Sequence, residues 1–252
     1  MRNRRTFLVT FAAALAAITG PTASAAPPSL LARSLADPAR AQDRTQDARR
    51  RPAQLVALAE INPGQRVVDL IPGSGYWSRI FSRIVGPRGR VYGIWPAPYA
   101  REAMGDIQHL RTLARQYGNI DVLLESGTRL TAPQPVDVVW TSQNYHDYND
   151  KFMGKPGSQS FARDAYRILK PGGLFIVIDH MAANGSGLRD SDTFHRIDRA
   201  AVIREATTAG FRFAGESNVL RNPKDPLNIP VFDRSIRGHT SQFALKFRKP
   251  AR

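Results

Sequence analysis

Short apolar runs alternate with longer amphipathic stretches from residue 66 onward. The short runs are rich in Val, Ile, Leu and aromatic residues, which is typical of buried strands, and the stretches between them carry the apolar spacing of helices. This alternation predicts a parallel sheet with helices on both faces. The predicted parallel strands cover residues 66–71, 90–94, 120–124, 136–141 and 174–179.

Two more runs close the pattern near the carboxyl end of the chain. Residues 211–216 and 241–247 alternate apolar and polar positions, which predicts a pair of antiparallel edge strands. The fold class predicted is therefore α/β, with a doubly wound, mostly parallel sheet of seven strands. The predicted helices that cover it are 77–85, 98–117, 159–169 and 200–209.

Residues 1–25 have the layout of a secretory signal peptide. Arginines at 2, 4 and 5 precede an apolar run from Phe7 to Ile18, and Ala23-Ser24-Ala25 matches a cleavage site. A 12-residue run is too short to cross about 30 Å of hydrocarbon, so no stable membrane anchor is expected. Arg4-Arg5 followed by Phe7-Leu8 resembles a twin-arginine signal, and an ordinary Sec signal is the alternative. Either route predicts a periplasmic or secreted protein.

The segment after the cleavage site divides into three predicted parts. Residues 26–36 are rich in Ala, Pro, Ser and Leu and predict a mobile leader, whereas the charged residues 37–51 predict a helix that caps the domain. Pro52 begins a further helix, which ends before the Asn62-Pro63-Gly64 turn. The predicted domain covers residues 52–252.

Composition removes several classes of protein. A hydrophobic fraction of 42% over 252 residues excludes a disordered or multi-span membrane chain. The absence of cysteine excludes thiolate zinc sites and cysteine nucleophiles. The formal net charge is +15, but the arginines are scattered rather than clustered with aromatic residues. We therefore expect no nucleic-acid partner.

A glycine-rich turn follows the first predicted strand. The run from Val67 ends in Asp69-Leu70-Ile71-Pro72-Gly73-Ser74-Gly75 and continues into a helix. Glycines there let the backbone turn sharply and approach a ligand, and the start of the helix offers free N–H donors. In open α/β sheets, ligands bind beyond the carboxyl ends of the strands at such a turn.

This turn and two other motifs resemble the class I S-adenosylmethionine-dependent methyltransferases. The other motifs are Leu169-Lys170-Pro171-Gly172-Gly173 and Ala209-Gly210-Phe211. The chain is especially similar to a family of exported bacterial predicted methyltransferases, through Tyr145-His146-Asp147, Asp179-His180 and His195-Arg196-Ile197-Asp198. The resemblance implies S-adenosylmethionine as cofactor. The cofactor-binding residues that it implies are Asp69, Gly73, Ser74, Gly75, Tyr76, Trp95 and Ser126.

The chain departs from the methyltransferase pattern at the end of its second strand. An acid ordinarily stands there to bind the cofactor ribose, but this chain has Trp95, which we expect to stack on the adenine. Near the end of the third strand, Glu125 and Ser126 are the counterparts of the acid beside the adenine amino group. Losing one charged hydrogen bond costs about 1.5 to 3 kcal/mol, which weakens such a site without abolishing it.

Three of the five histidines follow the ends of predicted strands and have acids beside them. A histidine there can act as a general base, because imidazole titrates near neutral pH. Two alternatives stay open: the set holds a divalent metal, or it caps loops, with Asp198 as a helix N-cap. No helix places two histidines four residues apart, so no metal ligand is assigned. The predicted catalytic residues are His146, Asp147, Asp179, His180 and His195.

The function predicted is an exported S-adenosylmethionine-dependent methyltransferase that acts on a small-molecule nucleophile. Trp95 favours one alternative, a methyltransferase-fold binding or scaffolding protein of the periplasm without transfer activity. A metal-dependent hydrolase or lyase built on the His and Asp residues is a more distant alternative. His109 and His239 are expected on the surface.

Overall fold

The computed structural model describes residues 29–155 and 157–251, in which seven strands form one sheet. The strands are β1 (Arg66–Leu70), β2 (Arg90–Trp95), β3 (Ile120–Leu124), β4 (Val136–Ser142), β5 (Leu169–His180), β6 (Arg212–Ser217) and β7 (Gln242–Arg248). Their order in the sheet is β3-β2-β1-β4-β5-β7-β6, and every neighbouring pair is parallel except the two that involve β7. This is the predicted doubly wound, mostly parallel sheet.

Helices cover both faces of the sheet. Short 3₁₀ turns lie at Pro38–Arg40, Asp43–Gln46, His146–Asn149 and Lys151–Met153. The helices are α1 (Leu30–Leu35), α2 (Asp47–Arg50), α3 (Pro52–Leu58), α4 (Tyr76–Val85), α5 (Ala97–Glu102), α6 (Met104–Tyr117), α7 (Ser158–Ile168), α8 (Ser191–Phe194) and α9 (Arg199–Thr208).

The core lies between the central strands and the helices packed on them. Strands β1 and β4 are buried along nearly their whole length because both of their faces are covered. Trp140 of β4 is fully buried and its ring lies 4.7 Å from that of Trp77 and 5.1 Å from that of Phe81, both on α4. These aromatic contacts hold α4 against the sheet.

The sheet reverses direction between β1 and β4. From β1 the chain moves outward to β2 and β3, and it then returns to β4 on the other side of β1. The loops after β1 and β4 therefore diverge at the carboxyl ends of the strands and leave a crevice there. This crevice is the place where the predicted site residues are expected to meet.

The structure corrects the predicted amino-terminal part. The predicted signal peptide lies outside the described residues, but part of the predicted mobile leader forms α1, which the Ser29 side chain caps. The predicted single helix over 37–51 is wrong, because that segment consists of two 3₁₀ turns and α2. Arg51 adopts a left-handed conformation with φ of 48° and ψ of 50°, which lies outside the extended region that Pro52 favours for the preceding residue.

Three further predictions need correction. The predicted helix 98–117 is divided at Ala103, beside the weak helix former Gly105. Strand β5 begins five residues earlier than predicted, because Leu169 already pairs with Val136. Only β6 of the predicted edge pair lies at an edge, since β7 pairs with both β5 and β6.

Within residues 29–155 and 157–251, no helix has the length and apolar character that crossing a bilayer requires.

Candidate functional site

A cavity of about 550 Å³ opens at the carboxyl ends of β1, β2, β4 and β5. Its volume falls in the range that small-molecule sites occupy. The glycine-rich turn after β1 forms one wall, and the histidines that follow β4 and β5 form the opposite wall. Phe152 and Phe232 also line it, and they are 50% and 57% exposed.

Backbone strain concentrates around this cavity. Ile71, Gln143 and His195 have φ angles of 48°, 67° and 52°, although none of them is glycine, and all three line the cavity. Left-handed conformations are costly for bulky residues and persist only where the surrounding structure enforces them. Such residues cluster at functional sites, and here each follows the end of a strand or a helix.

The glycines of the turn after β1 have different surroundings. A Cβ at Gly73 would meet only Asp106 Oδ2, at 4.0 Å, so this side of the turn faces open space. A Cβ at Gly75 would lie 2.7 Å from Leu110 Cδ1, so the close approach of α6 requires glycine there. Of these two glycines, the cavity lining includes Gly73.

Asp69 lies beneath the turn rather than in the cavity lining. It is 1% exposed, and its Oδ2 accepts a hydrogen bond of 2.6 Å from Ser78 Oγ. Burial raises the pKa of Asp69 to about 7, although the hydrogen bond from Ser78 opposes this shift. The carboxyl group therefore ties β1 to α4.

Tyr76 turns away from the cavity toward the amino-terminal segment. Its hydroxyl donates to Asp47 Oδ1 at 2.6 Å, and the guanidinium carbons of Arg40 and Arg50 lie 5.2 and 4.6 Å from its ring centre. These cation–π contacts hold residues 40–50 against the start of α4. Arg50 itself lines the cavity.

The opposite wall is built on Asp179, at the end of β5. Its Oδ1 lies 2.8 Å from His146 Nδ1, and its Oδ2 accepts from the His146 backbone N–H at 2.8 Å. Asp179 is fully buried and is not part of the lining. It therefore acts on the cavity by orienting His146.

Two more polar residues meet the other ring nitrogen of His146. Its Nε2 lies 2.9 Å from Asp147 Oδ1 and 3.3 Å from His195 Nδ1. Burial alone would lower the pKa of His146, but the carboxylates of Asp179 and Asp147 outweigh it and raise this pKa well above its ordinary value. The structure thus brings His146, Asp147, Asp179 and His195 into one cluster.

Asp150 joins this cluster, and the sequence analysis missed it. Its Oδ2 lies 3.7 Å from His195 Nδ1, and the residue is only 2% exposed. Burial and the neighbouring carboxylate of Asp147 raise the pKa of Asp150 to about 7. The sequence signal that could have identified Asp150 is its position two residues after Tyr145-His146-Asp147-Tyr148.

His180 occupies a separate position on the same wall. Its Nδ1 lies 2.8 Å from Thr240 Oγ1, and its ring centre is 6.1 Å from that of His146. Burial lowers the pKa of His180 to about 4, so the imidazole is neutral at pH 7. Among the described residues, no hydrogen bond is made to its Nε2.

The remaining predicted polar residues have structural or surface positions. Asp198 caps α9 by accepting from the Ala200 N–H at 2.9 Å, as the capping alternative predicted. His109 and His239 are exposed, as predicted.

Comparison with known proteins shows a likeness to methyltransferases in both sequence and fold. A family model described as protein-L-isoaspartate(D-aspartate) O-methyltransferase matches residues 38–141. The ubiquinone/menaquinone biosynthesis C-methyltransferase UbiE of Enterobacter sp. (strain 638) is 26% identical over 180 residues, which are 70% of this chain and 68% of that enzyme. A crystal structure of an S-adenosylmethionine-dependent methyltransferase from Aquifex aeolicus superposes with a TM-score of 0.58 and 18% identity, over 86% of this chain and 95% of that one.

The chain matches the S-adenosylmethionine-dependent methyltransferases in sequence and has their class I fold. The predicted likeness to these methyltransferases and the predicted fold class are confirmed, whereas the likeness to an exported family stays a prediction. The cyclase SpnF has the same fold, with a TM-score of 0.62 and 17% identity over 82% of this chain and 83% of that one. The fold alone therefore does not determine the reaction.

The cavity of this methyltransferase offers polar groups that suit its cofactor. Trp95 and Trp77 line the cavity, and the indole N–H of each is buried without a hydrogen-bond partner among the described residues. A nucleoside supplies acceptors for such donors. The half-buried Arg50 adds a positive charge next to the glycine-rich turn, where it suits a carboxylate.

Not every predicted cofactor-binding residue reaches the cavity. Gly73 and Trp95 line it. Ser126 is exposed outside it, and Glu125 beside Ser126 accepts hydrogen bonds from Thr131 instead. The predicted cofactor residues that do not line the cavity are Asp69, Ser74, Gly75, Tyr76 and Ser126.

Two acids that the sequence analysis missed follow Trp95 by seven and eleven positions in the chain and line the cavity. They are Glu102 at the end of α5 and Asp106 in the first turn of α6. In this part of the cavity lining, the negative charge therefore comes from α5 and α6, which follow β2, rather than from a residue at the end of β2. The break at Ala103, which places these two acids, had no strong sequence signal.

Proposed function

We propose that this protein transfers the methyl group of S-adenosylmethionine to a nucleophilic atom of a small molecule bound in the cavity. One observation carries the proposal. The glycine-rich turn and the histidine wall face the same cavity, so donor and acceptor would meet at the carboxyl ends of the strands. Holding two reactants in line can lower the barrier to such a transfer by about 7 to 11 kcal/mol.

The cofactor would lie along the turn after β1. Gly73 leaves room for close approach, and the unpartnered indole N–H of Trp95 would donate to the adenosyl group. Arg50 would pair with the carboxylate of the cofactor. Asp106 and Glu102 would accept from the ribose hydroxyls, in place of the acid that Trp95 replaces. When bound, the cofactor supplies an electrophilic methyl group.

His180 is the residue that we propose as general base. Both ring nitrogens of His146 already face polar groups, whereas Nε2 of His180 has no hydrogen-bond partner among the described residues. When Nδ1 of His180 donates to Thr240 Oγ1, Nε2 presents a lone pair to the cavity. It can then accept the proton of the acceptor, and Thr240 acts as a positioning residue.

The cavity entrance supports a small and partly apolar acceptor. Phe152 and Phe232 are large exposed aromatic residues at the cavity, and the ring of Phe232 lies 5.0 Å from that of His195. Such side chains favour contact with planar or apolar groups.

A test of the function measures release of S-adenosylhomocysteine, because this product forms whichever acceptor is used. Phenols, amines and carboxylic acids would be supplied as separate acceptor classes. For an accepted class, His180→Asn should lower kcat by 10² to 10⁴ and leave the Kd for S-adenosylmethionine nearly unchanged. Thr240→Val should also lower kcat, whereas Thr240→Ser, which keeps the hydroxyl, should not.

Two results would contradict parts of this proposal. Full activity in the folded His180→Asn variant would exclude His180 as the base. Tight cofactor binding with no product from any acceptor class would favour the alternative, a binding protein with the methyltransferase fold. That alternative is supported by Trp95 at the end of β2 and by the different reaction named for SpnF.

We also propose that the protein is exported and that the mature chain forms one domain over residues 52–252, preceded by a capping segment at 26–51. The support for export is the arginine, apolar and Ala23-Ser24-Ala25 pattern of residues 1–25. Replacing Arg4 and Arg5 with Lys should leave the precursor in the cytoplasm if export uses the twin-arginine route. Unchanged export of this variant would indicate the Sec route.

A further inference from the structure

We propose that His146, Asp147 and His195 form a binding site for one divalent transition-metal ion. The three candidate ligand atoms, His146 Nε2, a carboxylate oxygen of Asp147 and His195 Nδ1, all lie within 4.8 Å of one another. Two imidazoles and one carboxylate are a common ligand set for Zn²⁺, Fe²⁺, Co²⁺ and related ions.

The spacing of these atoms fits a shared ion. The distances are 2.9 Å from His146 Nε2 to Asp147 Oδ1, 3.3 Å from His146 Nε2 to His195 Nδ1, and 3.8 Å from His195 Nδ1 to Asp147 Oδ1. Ligands at about 2.1 Å from a metal lie about 3.0 Å apart in octahedral and about 3.4 Å apart in tetrahedral geometry. Only small side-chain adjustments are therefore needed to place all three around one ion.

A supporting carboxylate already orients the first ligand. Asp179 Oδ1 lies 2.8 Å from His146 Nδ1, which leaves Nε2 directed at the other two ligands. Metal-binding histidines usually donate their second ring N–H to such a carboxylate, which fixes the ring. Because Asp179 is fully buried, this orientation does not depend on solvent.

Asp150 is an independent observation that points to a missing ligand. It is 2% exposed, and its Oδ2 lies 3.7 Å from His195 Nδ1. Within residues 29–155 and 157–251, its Oδ1 has no hydrogen-bond partner. An unpaired buried oxygen is costly unless a cation or a donor satisfies it. An ion held by the other three residues would lie near this carboxylate and provide its partner.

The proposed metal site also faces the cavity in which the reactants would bind. His146, Asp147 and His195 line the cavity, so the remaining coordination positions would face it. An acceptor oxygen bound there would lie beside His180, and its proton would be easier to remove. This second step rests on the proposed function, whereas metal binding itself does not.

The test uses the full chain, expressed without an affinity tag and treated with chelator. Titration with Co²⁺ should give one equivalent of binding and visible absorption bands typical of His and carboxylate ligation, and Zn²⁺ should displace it. His195→Asn should weaken Co²⁺ binding at least tenfold. Asn suits this position because it tolerates the left-handed backbone, and the side chain of His195 is partly exposed. His239→Asn, at an exposed histidine outside the site, is the matched control.

The outcomes separate the metal site from the reaction. Absence of stoichiometric Co²⁺ binding to the folded protein, or equal binding by the parent and His195→Asn, would overturn the site. Asp150→Asn supplies a second variant, and it should also weaken binding. If Co²⁺ binds as expected but S-adenosylhomocysteine release by the active parent is the same with and without metal, the acceptor-binding step is wrong while the site stands.

Discussion

Asp179 Oδ1 lies 2.8 Å from His146 Nδ1 and joins the end of β5 to the segment that follows β4. The same carboxylate accepts from the backbone N–H groups of His146 and His180. One buried side chain thus sets both histidines at the cavity. The position of these residues at strand ends does not by itself distinguish their roles. Asp179 orients His146, whereas His146 and His180 face the cavity.

Replacing Asp179 with Asn should destabilise the protein and loosen His146. The Asn side chain has one acceptor oxygen where Asp has two. At least one of the nitrogen atoms that now contact Asp179, on His146 or His180, therefore loses its acceptor. We expect the free energy of unfolding to fall by about 1 to 3 kcal/mol, measured by urea denaturation. Asp233→Asn, in an exposed loop, is the control and should change stability much less. Equal stability of Asp179→Asn and the parent would show that these hydrogen bonds contribute little.

The fold could be predicted from the sequence because buried strands carry an almost continuous apolar signal. The runs around Val67 and Val138 belong to strands covered on both faces, and their short length and β-branched residues favour a strand over a helix. The amino-terminal segment could not be predicted, because its short turns are held by tertiary ion pairs rather than by local apolar periodicity. Arg79 and Asp43, for example, are 36 positions apart in the chain.

The site could be predicted only where its residues directly follow strands. His146 and His180 do so, and the structure places both at the cavity. Glu102 and Asp106 reach it through the bend at Ala103, which weak local preferences produce. Tyr76 is next to the glycine-rich turn, but its side chain turns toward Asp47 because a helix sends successive side chains in different directions.

Asp106 and Glu102 should contribute to cofactor affinity if they replace the missing acid of β2. The Asp106→Asn/Glu102→Gln variant should bind S-adenosylmethionine about 10- to 150-fold more weakly, because a hydrogen bond to a charged group contributes about 1.5 to 3 kcal/mol. Isothermal titration calorimetry measures this change. Glu125→Gln is the control, since Glu125 does not line the cavity, and it should leave affinity unchanged. Unaltered affinity in the double variant would exclude both acids from cofactor binding.

The ion pair between Asp43 and Arg79 should be a principal attachment of the amino-terminal segment. Both side chains are 7% exposed, and two hydrogen bonds of 2.6 Å join them. Asp43→Asn should lower the free energy of unfolding by about 3 to 5 kcal/mol, because it leaves a buried guanidinium without its counter-charge. Asp121→Asn, in an exposed pair with Arg90, should cost less than about 1 kcal/mol.

Thermal and urea unfolding of both variants measure this difference. Because Arg50 lies on the same segment and lines the cavity, Asp43→Asn should also weaken cofactor binding. Similar small losses in Asp43→Asn and Asp121→Asn would mean that the segment is held mainly by its apolar contacts.

Asp69 should make stability fall as pH rises from about 4 to 7. Burial raises its pKa to about 7 in the folded protein, against 3.8 for an ordinary aspartate. Within this interval the folded state keeps a proton that the unfolded chain has lost, so each rise in pH favours unfolding. At 1.36 kcal/mol per pH unit, the loss attributable to this group is about 4 kcal/mol. Above pH 7 both states are ionised, and the loss levels off.

Comparison with Asp69→Asn isolates this carboxyl group from the other titrating residues. Urea denaturation at pH 4.5, 5.5, 6.5 and 7.5 should show the parent losing stability relative to Asp69→Asn, since the amide does not ionise. Ser78→Ala should extend this decline to higher pH than in the parent, because the Ser78 hydroxyl donates to the carboxylate and favours its charged form. If the parent and Asp69→Asn keep a constant difference over this range, Asp69 titrates with an ordinary pKa, and its burial is compensated by the hydrogen bonds from Ser78 and the charge of Arg50.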